Sequence, residues 1–194
     1  MTREVQRCRQ ALRRAAAGDV VALISSGDPG IYGMAGLALE LAAAEDVRVP
    51  IEIVPGLTAA SSAAAALGAP LMLDFAVISL SDLLVPWETI RSRLTAVAAA
   101  DLVVVLYNPR SKKRLRQLDE TVAIFRAVRP GPTPVGVVTA AGQEDEVGVV
   151  TDLDHVLEQA VGMRSVVVIG NSASRKIDRW LVTARGYSLE TGQV

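Results

Sequence analysis

Short apolar runs alternate with longer, helix-periodic stretches along almost the whole chain. Val20–Ser25, Ile51–Val54, Phe75–Ser79 and Leu102–Tyr107 are dominated by Val, Ile and Leu with little polar alternation. That is the pattern of strands covered on both faces. The intervening stretches predict helices over Arg3–Ala17, stopped by Gly18, and from about Gly33 to Ala44. Another covers Ala59–Leu67, capped by Thr58 and closed by Gly68, and a fourth starts at Pro86 and runs to about Ala98. Beyond Tyr107 the pattern predicts a helix from about Lys112 to Val128, ended by Pro130-Gly131-Pro132. Strands Val135–Thr139 and Val147–Thr151 follow, close enough to pair antiparallel. A short helix capped by Thr151 or Asp152 reaches about Val161, and Val166–Ile169 is the last strand.

This order predicts an α/β fold of two α/β domains, 1–85 with a mainly parallel sheet and 86–194 with a mixed one. Parallel strands that end on one edge bring their exits together. The turns Gly27-Asp28, Pro55-Gly56-Leu57-Thr58 and Ser81-Asp82 should therefore surround one crevice. The first turn follows an apolar run directly, which fixes a carboxylate at a strand end among residues small enough for close backbone approach. It is neither a G-x-G-x-x-G dinucleotide fingerprint nor a phosphate loop.

Composition narrows the chemistry. Of 194 residues, 51% are hydrophobic and only 4% aromatic, a mix for buried strands and tight helices rather than for stacking on bases. The net charge of -1 gives the chain no general pull toward nucleic acid or anionic membrane. A single cysteine, Cys8, excludes an internal disulfide and fits a reducing cytoplasm. The charged N-terminus does not read as a signal peptide, and no apolar stretch is long enough to cross a bilayer.

With one histidine, His155, and one cysteine, neither a conventional zinc site nor a Cys/His nucleophile can be assembled, so no metal is expected. Ser25, Ser26, Ser79 and Ser81 lack a base partner for a hydrolase triad. His155 reads as a surface residue, Cys8 as packing, and Trp87 and Trp180 as packing anchors. The basic run Arg110, Lys112, Lys113, Arg114, Arg116 is either a solvated face or a cluster that receives carboxylates. Arg175, Lys176 and Arg179 form a second, weaker cluster with the same two readings.

Six motifs, in this order, resemble the tetrapyrrole (corrin/porphyrin) methylase family. They are Ser26-Gly27-Asp28-Pro29-Gly30-Ile31-Tyr32-Gly33-Met34-Ala35-Gly36, Val54-Pro55-Gly56-Leu57-Thr58-Ala59 and Ile78-Ser79-Leu80-Ser81-Asp82, then Leu106-Tyr107-Asn108-Pro109-Arg110-Ser111, Gly170-Asn171-Ser172 and Val182-Thr183-Ala184-Arg185-Gly186-Tyr187. The Ser-Leu-Ser-Asp and Tyr-Asn-Pro elements point to the branch that acts on C17 of precorrin-3B in cobalamin biosynthesis.

The resemblance implies two α/β domains with a cleft for S-adenosylmethionine (SAM) between them. It also implies methylation at C17 coupled to contraction of the macrocycle to precorrin-4. Alternatives are the anaerobic cobalt-precorrin-3 substrate, another tetrapyrrole methylase, or a truncated fragment that binds without catalysis. The implied SAM-binding residues are Gly27, Asp28, Pro29 and Tyr32 in one turn and Pro55, Gly56, Thr58 and Ala59 in another. Tyr107 and Asn108 would close that pocket from the second domain. Ser81, Arg110, Lys112 and Lys113 would meet the carboxylated substrate, and Asp82 and Asn108 would serve proton movement and a developing oxyanion during ring contraction. Members of the family are commonly homodimers, the assembly implied here.

The chain departs from the family pattern at two points. The family opens with a further strand and a Gly-x-Gly-Pro-Gly loop, whereas this sequence starts at the next helix, which predicts an exposed sheet edge. A truncation, a misplaced start codon or a split gene would each produce that start. The second departure is Ala184, where the resemblance leads one to expect proline.

Overall fold

The computed structural model describes residues 2–187; the last residues of the predicted second domain, 188–194, lie outside that range. The chain divides into two compact units, Met1–Ala59 and Ala60–Val194.

In the first unit, α1 (Thr2–Ala16) packs on α2 (Ala35–Ala44). Cys8 and Leu12 of α1 and Ala35 and Ala42 of α2 are buried. Small alanines allow close approach, and Arg9 is tied to Glu45 at the end of α2 by a 2.5 Å ion pair. The two strands expected here do not form. Among the described residues, 20–25 and 51–54 belong to neither sheet, and Val20, Ile24, Ile51, Ile53 and Val54 are exposed. The physical reason is that a strand exists only by hydrogen bonding to a neighbour, and no described segment pairs with either run.

α3 (Ala59–Leu67) leads into the second unit. A short β1 (Gly68–Ala69) pairs parallel with β8 (Trp180–Thr183), which pairs antiparallel with β7 (Ser174–Ile177). This small sheet was not expected from the sequence. Its β7–β8 connection is Asp178-Arg179, with Asp178 in the left-handed region at φ 54, and it lacks the glycine that usually announces such a turn.

The main sheet has the order β2-β3-β6-β4-β5. Its strands are β2 (Phe75–Ser79), β3 (Val103–Tyr107), β4 (Pro134–Thr139), β5 (Val147–Asp152) and β6 (Ser165–Ile169). β2 and β3 are parallel, and the remaining pairs are antiparallel. Because β2 pairs with β3 along its whole length, Phe75–Ser79 belongs to the second unit, not to the first as the 1–85 division supposed. β3 and β6 are buried throughout the runs Val103–Leu106 and Ser165–Ile169, as expected of strands covered on both faces.

One face carries α4 (Trp87–Ala99) and α5 (Arg116–Arg126). Ile90 and Leu94 from α4 and Leu118, Val122 and Phe125 from α5 form a core with Leu106, Val137 and Ile169. At the other face, the Leu67 side chain occupies the space that a Cβ would need at Gly136.

Two helices are shorter than the sequence predicts. α5 begins at Arg116, not Lys112, because Ser111 and Arg114 fold back on each other through paired backbone hydrogen bonds. Most of the basic run therefore lies in a turn and does not oppose a helix dipole. Likewise β5 continues through Asp152, leaving only a 3-10 turn at Val156–Glu158 where a helix to Val161 was expected. Neither Thr151 nor Asp152 caps that turn, whose N-cap position is His155; Asp152 Oδ1 instead accepts the amides of Asp154 and His155 at 3.0 Å, in the bend that precedes it.

Candidate active site

In the first unit, two turns far apart in sequence are clasped by one carboxylate. Asp28 Oδ1 accepts the Gly30 amide at 2.7 Å and Oδ2 accepts the Gly56 amide at 3.0 Å. These amides, Gly56 first and then Gly30, hold the Asp28 carboxyl below its ordinary range against the opposing effect of desolvation. The glycines are there because the backbones touch. A Cβ on Gly56 would run into the carbonyl oxygen of Gly27, and one on Gly33 into the backbone of Pro29. Gly27 itself has φ 75 and Tyr32 φ 53, so the turn is wound through left-handed positions. Pro55 and Thr58 lie on the second turn, and Ala59 opens α3.

A carboxylate offers about four lone-pair sites. Backbone amides take part of that capacity, which fixes the group and leaves the rest to accept from a ligand's hydroxyl or ammonium. Asp28 is half-buried and Gly27, Gly30 and Gly56 are exposed, so the clasp is accessible. A pre-oriented acceptor beside side-chain-free backbone fits what SAM requires of a binding turn.

In the second unit, a polar group forms where β2 and β3 end side by side, with Ser79 in register with Tyr107. Asn108, at φ 51, donates from Nδ2 to Ser79 Oγ at 3.0 Å, and the Ser81 amide donates to the same oxygen at 3.2 Å. The Tyr107 hydroxyl accepts the Ala60 amide at 2.7 Å, serving a first-turn N–H of α3 that has no helical partner. Asp82 Oδ2 accepts from Gln117 Nε2 at 2.9 Å.

The basic run separates by environment. Arg110 forms a 2.6 Å ion pair with Asp119 and Arg116 one of 2.9 Å with Glu120, while Lys112 and Lys113 are exposed. Arg114 is buried. Thus Ser81, Asp82, Tyr107 and Asn108 gather at one end of the main sheet, while Gly27, Asp28 and Gly56 gather in the first unit. Gln117 was missed by the sequence reading; a glutamine in the polar first turn of a helix carries no signal that separates it from a surface residue. Among the described residues, no cluster of His, Cys, Asp and Glu could hold a metal ion.

Residues 2–157 match the model of the Tetrapyrrole (Corrin/Porphyrin) Methylases, and the chain belongs to that family. It is 47% identical over 189 residues to a probable cobalt-factor III C(17)-methyltransferase of Salmonella typhimurium, covering 97% of this chain and 78% of the relative. It is 43% identical over 179 residues to a precorrin-3B C(17)-methyltransferase of Sinorhizobium sp, covering 91% and 70%. The crystal structure of the methyltransferase CobJ superposes with a TM-score of 0.88 at 38% identity, covering 93% of this chain and 77% of that one. A uroporphyrin-III C-methyl transferase of Thermus thermophilus, complexed with S-adenosyl homocysteine, gives 0.62 at 25% identity, covering 84% and 71%. The α/β architecture with two sheets is that of these methylases.

Proposed function

We propose that this chain is a SAM-dependent C-methyltransferase of cobalamin biosynthesis that methylates precorrin-3B at C17 with ring contraction to precorrin-4. The observation that carries the reading is its similarity, over nearly its whole length, to proteins named as C17-methyltransferases. A second reading has specific support. The Salmonella relative is named for cobalt-factor III, which makes the cobalt-containing macrocycle the alternative substrate.

SAM supplies an activated methyl group on sulfonium, so the protein need provide no nucleophile; an electron-rich ring carbon of the substrate attacks. What remains for the chain is orientation, which is worth roughly 7–11 kcal/mol when reactants are held near attack distance. In this reading the fixed Asp28 carboxylate accepts from SAM, and the amides and carbonyls around Gly27 and Gly56 line its slot. Pro29, Tyr32, Pro55, Thr58 and Ala59 shape that slot. Asn108 spends one Nδ2 hydrogen on Ser79 and keeps the other for a developing oxyanion. Asp82, oriented by Gln117, takes up a proton during ring contraction. Ser81, Arg110, Lys112 and Lys113 face the acidic rim of the macrocycle.

The reading also makes the protein a cytoplasmic homodimer acting on small molecules, with no role for nucleic acid or membrane. The buried, free Cys8 and the net charge of -1 support it. Among the described residues no helix is long and apolar enough to cross a membrane. Sedimentation of the purified chain tests the dimer.

The test of function is incubation with methyl-labelled SAM and either precorrin-3B or cobalt-factor III, followed by mass spectrometry and absorbance. Gain of one methyl with the contracted-ring spectrum is expected; no transfer to either substrate would overturn the reading. Asp82→Ala is expected to lower ring contraction at least tenfold, and unchanged contraction would remove Asp82 from the mechanism.

A further inference from the structure

Arg114 is 7% exposed, yet its guanidinium has no carboxylate partner among the described residues. Its Nε donates to the Asn108 carbonyl at 3.2 Å, and Nη2 lies 3.9 Å from Met163 Sδ, a weak acceptor. Its backbone is pinned as well. The Arg114 amide donates to Ser111 O at 3.2 Å and to Ser111 Oγ at 3.1 Å, and the Ser111 amide donates to Arg114 O at 3.0 Å. A buried cation without a counter-charge is costly unless something brings the charge to it. Its neighbours in sequence are arranged otherwise: Arg110 and Arg116 are neutralised by Asp119 and Glu120, and Lys112 and Lys113 sit in solvent.

We propose that Arg114 anchors a carboxylate of the bound ligand, with its guanidinium pre-oriented by the Asn108 carbonyl. This rests on the methyltransferase reading, which supplies two carboxylate sources: the amino-acid end of the methyl donor and the acidic side chains of the macrocycle. Both present the planar acceptor that a guanidinium matches. The same contact couples the anchor to Asn108, whose side chain is held by Ser79, so ligand binding at Arg114 braces the end of β3.

The experiment measures two ligands on the unsubstituted protein, Arg114→Met and Arg114→Lys, with folding checked by circular dichroism. S-adenosylhomocysteine is titrated by calorimetry beside 5′-methylthioadenosine, which lacks the carboxylate. Uroporphyrin III is titrated by fluorescence beside its octamethyl ester. Arg114→Met is expected to weaken one acid at least tenfold, leave its carboxylate-free counterpart unchanged, and be partly rescued by Arg114→Lys. Which acid responds identifies the source. Equal weakening of acid and counterpart, or of neither, would overturn the proposal and leave Arg114 a structural brace. Should Arg114→Met not fold, the comparison is made with Arg114→Lys and with the acid-to-ester ratio of the unsubstituted protein; a ratio near one overturns the proposal. Failure of the unsubstituted protein to bind either acid would instead overturn the methyltransferase reading, and the anchor with it.

Discussion

The amide of Gly56 donates a 3.0 Å hydrogen bond to the carboxylate of Asp28, joining two turns that lie 28 residues apart in the chain. The bond requires that Gly56 bring its backbone against that of Gly27, a distance only a residue without Cβ can reach.

Gly56→Ala forces a methyl group into the Gly27 carbonyl, which is backbone and cannot swing aside. Such overpacking costs about 1–3 kcal/mol, and each kcal/mol lowers Tm by roughly 2–4 °C in a protein of this size. Thermal melts should show that loss, and calorimetry with S-adenosylhomocysteine should show affinity falling at least tenfold. An unchanged Tm would mean that the two turns do not meet.

Asp28 is held ionised by the Gly56 and Gly30 amides, so its folded-state pKa lies below the unfolded value. A depressed carboxyl stabilises the fold above its unfolded pKa, and that contribution disappears as pH falls through the folded one. Asp28→Asn should therefore flatten the acid side of the stability profile, measured by urea unfolding from neutral pH downward. Identical acid limbs for the two proteins would refute the assignment.

Tyr107→Phe removes the hydroxyl that accepts the Ala60 amide at 2.7 Å. An unserved first-turn amide and a lost hydrogen bond together cost about 0.5–1.5 kcal/mol. Hydrogen exchange at Ala60 should accelerate in the variant while amides of β6 keep their protection. If exchange at Ala60 does not change, the hydroxyl is not its acceptor.

His155 is the chain's only histidine, so its imidazole resonances can be followed without overlap. Its Nδ1 lies 2.7 Å from Asp152 Oδ1, and that hydrogen bond and charge raise its pKa above 6.5. A raised histidine adds stability below its unfolded pKa and loses it as pH rises through the folded one. Asp152→Asn should bring the titration midpoint in NMR spectra back toward 6.5. No movement would show that the pair does not form.

The alternation of apolar runs with helical stretches made the main sheet of the second unit legible, because its inner strands β3, β4 and β6 are largely buried and advertise it as runs rich in Val. β2, β3, β4 and β6 lie within a residue or two of where the pattern puts them. The same signal misled at 20–25 and 51–54: an apolar run states that a segment is fit to be a strand, while pairing depends on a neighbour elsewhere in the chain. The fold-back at Ser111–Arg114 was hidden for a related reason, since a local hydrogen-bonded turn competes with helix in a stretch whose residues are good helix formers.

The residue types at each strand exit, and through them the family, were set by sequence alone, because a turn's chemistry is written in consecutive positions. Which partners those residues take was decided only in three dimensions. Gln117 meets Asp82 across 35 positions, Tyr107 meets Ala60 across 47, and Arg114 alone of its basic run is buried without a carboxylate. Hydrogen-bond geometry and desolvation act over a few ångströms of space, and no periodicity along a chain records which distant residue will fill them.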